Sequence, residues 1–273
     1  MGNQLLDALL ASIEAREPVA LVTVVKATGD YAPALGRRVL VWPAREPLGE
    51  LGVGDLTPHL LAEVRQCLST RRPRLLAYQQ PAGMVEVFVE IQRRPPTLII
   101  VGAGHVAAPL AQLGKLIDFE VVVLDDRPRY ANPERFPQVD RVLVGPLRAT
   151  LHTWPIDLDT YIVLVTRGHS HDVECLLEVL DSPARYIGMI GSKRRVKGVF
   201  DLLEKEQGFT PARFERVYAP IGLDIGAENP AEIAVAIIAE IIDVYRGGRA
   251  VSLAETLRSD RRLPLHPART GQK

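Results

Sequence analysis

A chain of 273 residues, 47% of them hydrophobic, is long enough to bury one large core or two modest ones, and we favour two. Its 33 basic and 33 acidic residues cancel, so there is no overall charge to attract nucleic acid or an anionic membrane, and any anion site must be local. The sequence contains no apolar run of about 20 residues that would predict a membrane span, and its first residues lack the pattern of a secretion signal.

The first part of the chain predicts a small α/β domain that starts with an amphipathic helix. Strands are predicted at residues 19–27, 37–42, 74–78 and 85–91. Between them, a glycine-rich loop at residues 49–54 precedes Thr57 and Pro58, a pair typical of a helix start. Residues 93–96 read RRPP, which neither a helix nor a central strand can continue. We therefore expect a domain of residues 1–94.

The strongest motif follows at residues 97–107, where TLIIVGAGHVA joins an apolar run to glycines. Such a run predicts a strand buried on both faces. Gly102 and Gly104 can take positive φ and allow a phosphate to approach the start of the next helix. Ala107 completes GxGxxA, and about 20 residues further on Asp125 ends a second apolar run, where a dinucleotide-binding fold places the acid that meets a ribose hydroxyl. The alternative is a tight turn that binds nothing.

The rest of the chain alternates strands and helices. Strands are predicted near residues 97, 121, 141, 161 and 186, and helices from about residues 105, 170 and 192. This alternation favours an α/β fold in residues 95–248, with a Rossmann-type parallel sheet and helices on both faces. Ligands of such sheets collect at the carboxyl ends of the strands. We therefore expect three loops to share one crevice: GAGH at 102–105, TRGHSHD at 166–172 and GSKRR at 191–195.

Two of these loops carry charges suited to an anion. Arg167 can make paired hydrogen bonds to a phosphate, and Asp172 can stabilise a helix N-terminus. His169 and His171 could instead bind zinc or iron with the acid, but Arg167 would repel a cation and the other histidines form no comparable cluster. Lys193 begins a run of three cations at a helix start, a conflict that a bound anion would remove. In the simplest alternative these side chains are only solvated.

A last helix is expected after Asn229, because Asn-Pro-Ala-Glu supplies an N-cap, a first-position proline and a capping-box glutamate. Its isoleucines between residues 233 and 242 form an apolar stripe, which predicts core or the surface of a homodimer. The helix should stop at Gly247. Residues 249–273 are rich in arginine and proline and predict a flexible tail.

The two cysteines, Cys67 and Cys175, are too few for a disulfide framework, so we expect a reduced, cytoplasmic protein. Both lie in predicted helices, and no neighbouring residue argues for a lowered thiol pKa. Buried structural thiols are the prediction for both.

Five stretches together resemble the xanthine dehydrogenase accessory factor family (XdhC/CoxI): LIIVGAGHVAAPLAQL, VVVLDDRPRYANPERFP, YIVLVTRGHSHD, YIGMIGSKRRVKGVF and APIGLDIGAENPAEIAVAIIAEII. They span residues 98–242 in the family's order, and VALVTVVKATG, a glycine-rich loop and VEVFVE extend the resemblance to the first part of the chain. The resemblance implies an accessory protein, a cofactor chaperone more than a catalyst. Such proteins bind the molybdenum cofactor (molybdopterin) and assist its maturation and insertion into xanthine dehydrogenase or a related molybdenum hydroxylase.

The resemblance also implies which residues bind the cofactor. The family's motif positions in this sequence are Gly102, Gly104, His105, Asp125, Arg127, His169, Asp172, Gly191, Ser192 and Lys193, to which the loop argument adds Arg167. The first part of the chain departs from the family. Where the family usually has a GGGC segment, this chain reads LGVGDLTPHL, with Asp55 near the position of the expected thiol. Where the family has Ser-Ser-Pro-Arg, this chain reads DYAP at residues 30–33. The family's cysteine before VEVFVE is also absent, because this chain reads PAGM there. If thiols hold the cofactor in relatives, this chain must bind it differently, bind another ligand, or have lost the role.

Two other functions remain open on the sequence. An NAD(P)-dependent oxidoreductase would use GxGxxA and Asp125, although no proton donor for hydride chemistry is evident. A metallohydrolase would use His169 and His171.

Overall fold

The computed structural model describes residues 2–15, 17–70, 72–92 and 94–254, and of Gly2, Asn3 and His169 it describes the backbone alone. Most of the predicted tail, residues 255–273, therefore lies outside the described residues. The chain divides into two compact units, Met1–Arg94 and Pro95–Lys273. Among the described helices, none is long and apolar enough to cross a membrane.

The first unit is an antiparallel sheet with one helix against each face. Its elements are α1 (Gly2–Glu14), β1 (Val19–Ala27), β2 (Arg38–Val41), β3 (Leu48–Gly49), α2 (Thr57–Thr70), β4 (Arg74–Gln80) and β5 (Gly83–Gln92). The strand order is β3-β2-β1-β5-β4. Short 3-10 helices at Gly29–Ala34 and Gly54–Leu56 precede β2 and α2.

Alternating side chains divide the apolar residues of this sheet between two cores. Val22 pairs with Val89 in the ladder between β1 and β5, and such residues face α2 and pack against its Leu60. The alternate positions, among them Leu40 and Trp42, pack against α1. The Trp42 indole N–H donates to Ser12 Oγ on that helix at 2.9 Å, so this buried polar pair is satisfied.

The second unit is a six-stranded parallel sheet, and the loops that follow its strands lie at its carboxyl edge. Its elements are β6 (Thr97–Val101), α3 (Ala107–Leu116), β7 (Glu120–Asp125), β8 (Arg141–Val144), α4 (Leu147–Thr153), β9 (Thr160–Leu164), α5 (His169–Val179), β10 (Tyr186–Met189), α6 (Lys193–Gln207), β11 (Val217–Tyr218) and α7 (Pro230–Arg246). The order is β11-β10-β9-β6-β7-β8. The direction of winding reverses between β6 and β9, which is where doubly wound sheets bind ligands.

Helices cover both faces of this sheet, as the sequence predicted. Ile99 and Ile162 face a core formed with α4, α5 and α6, whereas Leu98 and Ile100 face a core formed with α3 and α7. The strands β6, β7 and β9 are buried almost throughout, which explains their unbroken apolar runs. The predicted α/β fold with a Rossmann-type sheet is confirmed.

The last helix begins and ends as its sequence predicts. The Asn229 side chain accepts a hydrogen bond from the Glu232 backbone N–H, and the Glu232 carboxylate accepts one from the Asn229 backbone N–H. Gly247 ends the helix with its backbone in the left-handed region. Ile237 and Ile241 of the apolar stripe are fully buried inside the unit. Most of the stripe is therefore core, although Ile242 is 37% exposed, and the homodimer stays a prediction.

Candidate functional site

The glycine turn after β6 has two glycines with different physical roles. Gly102 has a φ of +106°, and a Cβ there would lie 2.5 Å from the carbonyl oxygen of Val165, directly after β9. Gly104 lies outside the left-handed region, and no described atom lies within 4 Å of where its Cβ would be. The fold thus requires glycine at 102, whereas at 104 glycine leaves open space at the carboxyl edge.

The helix that follows this turn starts two residues later than predicted. Ala107 begins α3 and is fully buried, so the small residue that ends GxGxxA lets the helix pack closely on the sheet. Pro109 is the third residue of α3, in the first turn, where backbone N–H groups have no partner within the helix. The helix needs no kink, but Pro109 removes one N–H group that an anion could otherwise use.

Asp125, at the end of β7, is 2% exposed and ties the glycine turn to the neighbouring strand. Its Oδ2 accepts from the Ala103 N–H at 2.7 Å and from Arg127 Nη2 at 2.8 Å. Its Oδ1 accepts from the N–H of Arg127 at 3.0 Å and from Nε of Arg127 at 2.8 Å. Burial raises the pKa of Asp125, but the hydrogen bonds from Arg127 and Ala103 outweigh it and lower the pKa to about 2.

This arrangement bears on the expectation that Asp125 meets a ribose. Both of its oxygens are already directed at Arg127 and Ala103, so a ribose hydroxyl would have to displace a bidentate arginine. The NAD(P) hypothesis therefore lacks the free acceptor on which it was based.

The loop of residues 126–137 contacts the same glycine turn. Two of its residues, Tyr130 and Arg135, were not assigned to the site from the sequence. The Arg127 guanidinium lies 3.9 Å from the centre of the Tyr130 ring. Arg135 Nη1 donates to the carbonyl oxygens of Ala103 at 3.0 Å and of Tyr130 at 3.2 Å. In the sequence, the only signal of this contact was that Arg127 and Arg135 lie on either side of Tyr130 in the segment DRPRYANPER.

Arg167 forms the second ion pair of the site. Its Nη1 and Nη2 donate to Asp126 Oδ1 at 3.1 Å and Oδ2 at 2.8 Å. Because β7 and β9 flank β6, this pair joins the loops on either side of the strand that leads into the glycine turn. The two side chains are 43% and 31% exposed, so water screens their attraction and the pair can open at little cost. Asp126 was not predicted.

Asp172 is completely buried in the first turn of α5 and forms the third pair. It accepts close hydrogen bonds from Thr166 Oγ1 and Arg195 Nη2. Since Arg195 lies in α6, the pair joins the first turns of α5 and α6, the helices that follow β9 and β10. Asp172 thus supports the loops and offers no surface to a ligand.

The remaining predicted residues lie in the same three loops. Ser192 caps α6 by accepting from the Arg195 N–H at 3.2 Å, and Gly191 precedes it. Lys193 and His105 are exposed to solvent. The His169 side chain lies outside the description, and among the described residues no three His, Cys, Asp or Glu side chains form a metal-binding group.

Both cysteines are buried, as predicted. Burial, with the nearby carboxylates of Asp172, Glu174 and Glu178, raises the pKa of Cys175 to about 12. Asp55, near the expected family thiol, is exposed in the 3-10 turn before α2. This chain therefore presents no accessible thiol to a ligand.

Comparison with known proteins gives consistent matches over both units. Residues 98–241 match the family model of the XdhC Rossmann domain, and residues 12–79 match that of the XdhC and CoxI family. A protein of Escherichia coli, the uncharacterized YqeB, is 29% identical over 83% of this chain and 43% of its own length. A Bacillus subtilis protein, named as a probable xanthine dehydrogenase subunit, is 33% identical over 68% of this chain and 52% of its own length.

The chain spans about half the length of these curated relatives. Among solved structures, a Bacillus halodurans protein named as a xanthine dehydrogenase superposes with a TM-score of 0.52 over 92% of this chain and 98% of that one. At 20% identity, this is a likeness of fold alone.

The two glycines of the turn give a matched pair of variants. We expect Gly102→Ala to lower the free energy of unfolding by roughly 2 kcal/mol or more, because alanine is strained at this φ and meets the Val165 carbonyl. Gly104→Ala should change it by no more than about 0.5 kcal/mol. Denaturant unfolding followed by circular dichroism measures both, and equal losses would contradict the assignment.

Asp125 should make stability depend on pH in a defined direction. Its pKa is about 2 in the folded protein against 3.8 ordinarily, so its charged form stabilises the fold above about pH 4. This contribution, about 2 kcal/mol, is lost as the pH falls from about 4 to about 2. Denaturant unfolding at pH values across this interval should show the loss in the wild type, and Asp125→Asn should reduce it. An equal slope in both proteins would assign the acid sensitivity to other groups.

Proposed function

The chain belongs to the XdhC and CoxI family, and from that membership we propose that it is an accessory protein for xanthine dehydrogenase or a related molybdenum hydroxylase. It binds the molybdenum cofactor as molybdopterin and assists its maturation and insertion into the client. Support comes from the two family matches and from the Bacillus subtilis relative, whose name refers to xanthine dehydrogenase. In this proposal the chain is a carrier and not a catalyst.

The observation that carries the proposal is the state of Arg167. Its guanidinium is held in bidentate geometry by a partly exposed carboxylate, beside a glycine turn with open space at Gly104. A phosphate presents two oxygens in the same geometry with more negative charge than Asp126. The phosphate of molybdopterin would therefore replace the Asp126 carboxylate on Arg167.

The start of α6 supplies further positive charge to the same edge of the sheet. Lys193, Arg194 and Lys197 are exposed on its first two turns. Cations are unfavourable at a helix N-terminus, where the backbone already carries partial positive charge. A bound anion would offset this cost, which is the physical fit between these residues and a phosphorylated pterin.

The buried cysteines limit what this chain does to the cofactor. Cys67 lies in the core of the first unit and Cys175 in a core of the second, so neither offers a thiolate to molybdenum or sulfur. In our proposal the phosphate end carries the binding, and any thiol required for maturation comes from another protein.

The proposal is tested by equilibrium dialysis of molybdopterin against Arg167 variants. Arg167→Ala should weaken binding by roughly 1.5–3 kcal/mol, because a charge-assisted bidentate contact is lost, and Arg167→Lys should recover only part of it. Arg148→Ala is the matched control, since Arg148 is also a partly exposed arginine paired with a carboxylate, Glu178, in this unit. Unchanged affinity in Arg167→Ala, or an equal loss in the control, would contradict the site.

Asp126→Asn should have the opposite effect. If the ligand competes with this carboxylate for Arg167, its removal should tighten binding about two- to fivefold, the strength of an exposed ion pair. Asp224→Asn, at an exposed acid in the loop after β11, controls for the general loss of negative charge. Equal gains in both variants would mean that Asp126 does not occupy the ligand's position.

Parallel titrations separate the alternative functions. Binding of NAD(P) that is tighter than binding of molybdopterin would favour the oxidoreductase hypothesis. Zinc binding that survives Arg167→Ala but is abolished by His169→Ala and by His171→Ala would favour a metal centre.

A further inference from the structure

A concave region lies in the first unit, on the α1 side of its sheet. Its volume is about 760 Å³, within the range of small-molecule sites. Its walls are Gln4 and Leu5 from α1, residues 36–38 before and at the start of β2, and residues 48–50 in and after β3. None of these residues belongs to the Rossmann site.

One arginine of the cavity wall, Arg37, has its guanidinium packed against a neighbouring glycine. Arg37 lies against the backbone of Gly52, where a Cβ would stand 2.5 Å from Nη1 and 2.9 Å from Cζ. Gly52 has a φ of +70°, so glycine at this position both permits the loop conformation and leaves room for the arginine. The absence of a side chain at Gly52 therefore leaves room for Arg37, which lines the cavity.

The charge of Arg37 is weakly balanced. The carboxylate oxygen Oε2 of Glu50 lies 4.0 Å from Nη1, and the Glu50 side chain is 83% exposed. At this distance and exposure an ion pair contributes little. Arg38 adds a second guanidinium to the same wall, so the lining holds two cations against one acid.

The remaining lining suits an apolar body. Leu5 and Leu48 face the cavity together with the backbones of Gly36 and Gly49. Gly36 has a φ of +78° and no described atom within 4 Å of its Cβ position, so the wall is open at this point. Gln4 is exposed on α1 at the margin.

We propose that this cavity binds a small anionic molecule with a flat or aliphatic apolar body, its charged group on Arg37 and Arg38 and its body against Leu5 and Leu48. The planar guanidinium of Arg37 suits an oxyanion with two free oxygens, such as a carboxylate, sulfonate or phosphate. This proposal does not depend on molybdopterin binding, because it uses none of the residues assigned to that ligand.

Anilinonaphthalene sulfonate is a suitable probe, since it combines an aromatic body with a sulfonate and fluoresces when removed from water. The intact chain should bind it at one saturable site, with an affinity that falls as salt is raised. Arg37→Ala should weaken binding at least tenfold. Arg65→Ala, at an exposed arginine on α2 that does not line the cavity, should leave binding unchanged.

A blocking variant guards against a change in folding. Gln4→Trp places a bulky side chain at the margin without altering the core, and it should abolish probe binding while the thermal transition stays that of the wild type. Non-saturable binding, equal losses in the Arg37 and Arg65 variants, or full binding by the Gln4 variant would each overturn the proposal.

Discussion

The carboxyl edge of the parallel sheet depends on the buried carboxylate of Asp125. A carboxylate that is 2% exposed is tolerated only if its lone pairs are satisfied, and here four donors from Ala103 and Arg127 do so. Because one donor is the Ala103 N–H, the same bond fixes the glycine turn against β7. The Arg127 guanidinium also packs on the Tyr130 ring, and Arg135 of the same loop donates a hydrogen bond to the Ala103 carbonyl oxygen. The shape of the turn thus follows from the cost of burying one charge.

Three carboxylate–guanidinium pairs lie along this edge of the sheet. Their exposure distinguishes the pairs that stabilise the fold from the pair that a ligand can open. Asp125 and Asp172 are buried, and breaking either pair would leave an unpaired charge in the interior. The pair of Asp126 with Arg167 is partly exposed, so it can separate at little cost, and Asp126 Oδ1 then still has Arg127 Nε 3.8 Å away. A ligand anion can therefore compete for Arg167 without disturbing the fold that presents it.

The sequence predicts those features that arise from local pattern. Apolar runs identified β6, β7 and β9; GxGxxA identified the turn, and Asn-Pro-Ala-Glu identified the start of α7. It could not predict that Arg167 pairs with Asp126, 41 positions earlier, because no periodicity relates side chains in separate loops. Asp125 was assigned to a ribose by analogy with dinucleotide-binding folds, whereas in the structure its carboxylate accepts hydrogen bonds from Arg127, two residues later, and from Ala103. The short α4, with few apolar residues, and the two-residue strands β3 and β11 gave too little pattern to be recognised.

A chain with no net charge can attract an anion only where positive charge is locally in excess or only loosely paired, and each unit has such an arginine beside a glycine. Arg37 rests on Gly52 with its acid 4.0 Å away and largely exposed, whereas Arg167 lies beside the glycine turn and is held by a partly exposed Asp126. In both places the acid is at least partly exposed, so solvent screening weakens its attraction for the guanidinium. Guanidinium is weakly hydrated and planar, so it exchanges one bidentate oxyanion for another more readily than an ammonium would. The local pairing of charges, and not their sum, therefore decides where this protein can bind an anion.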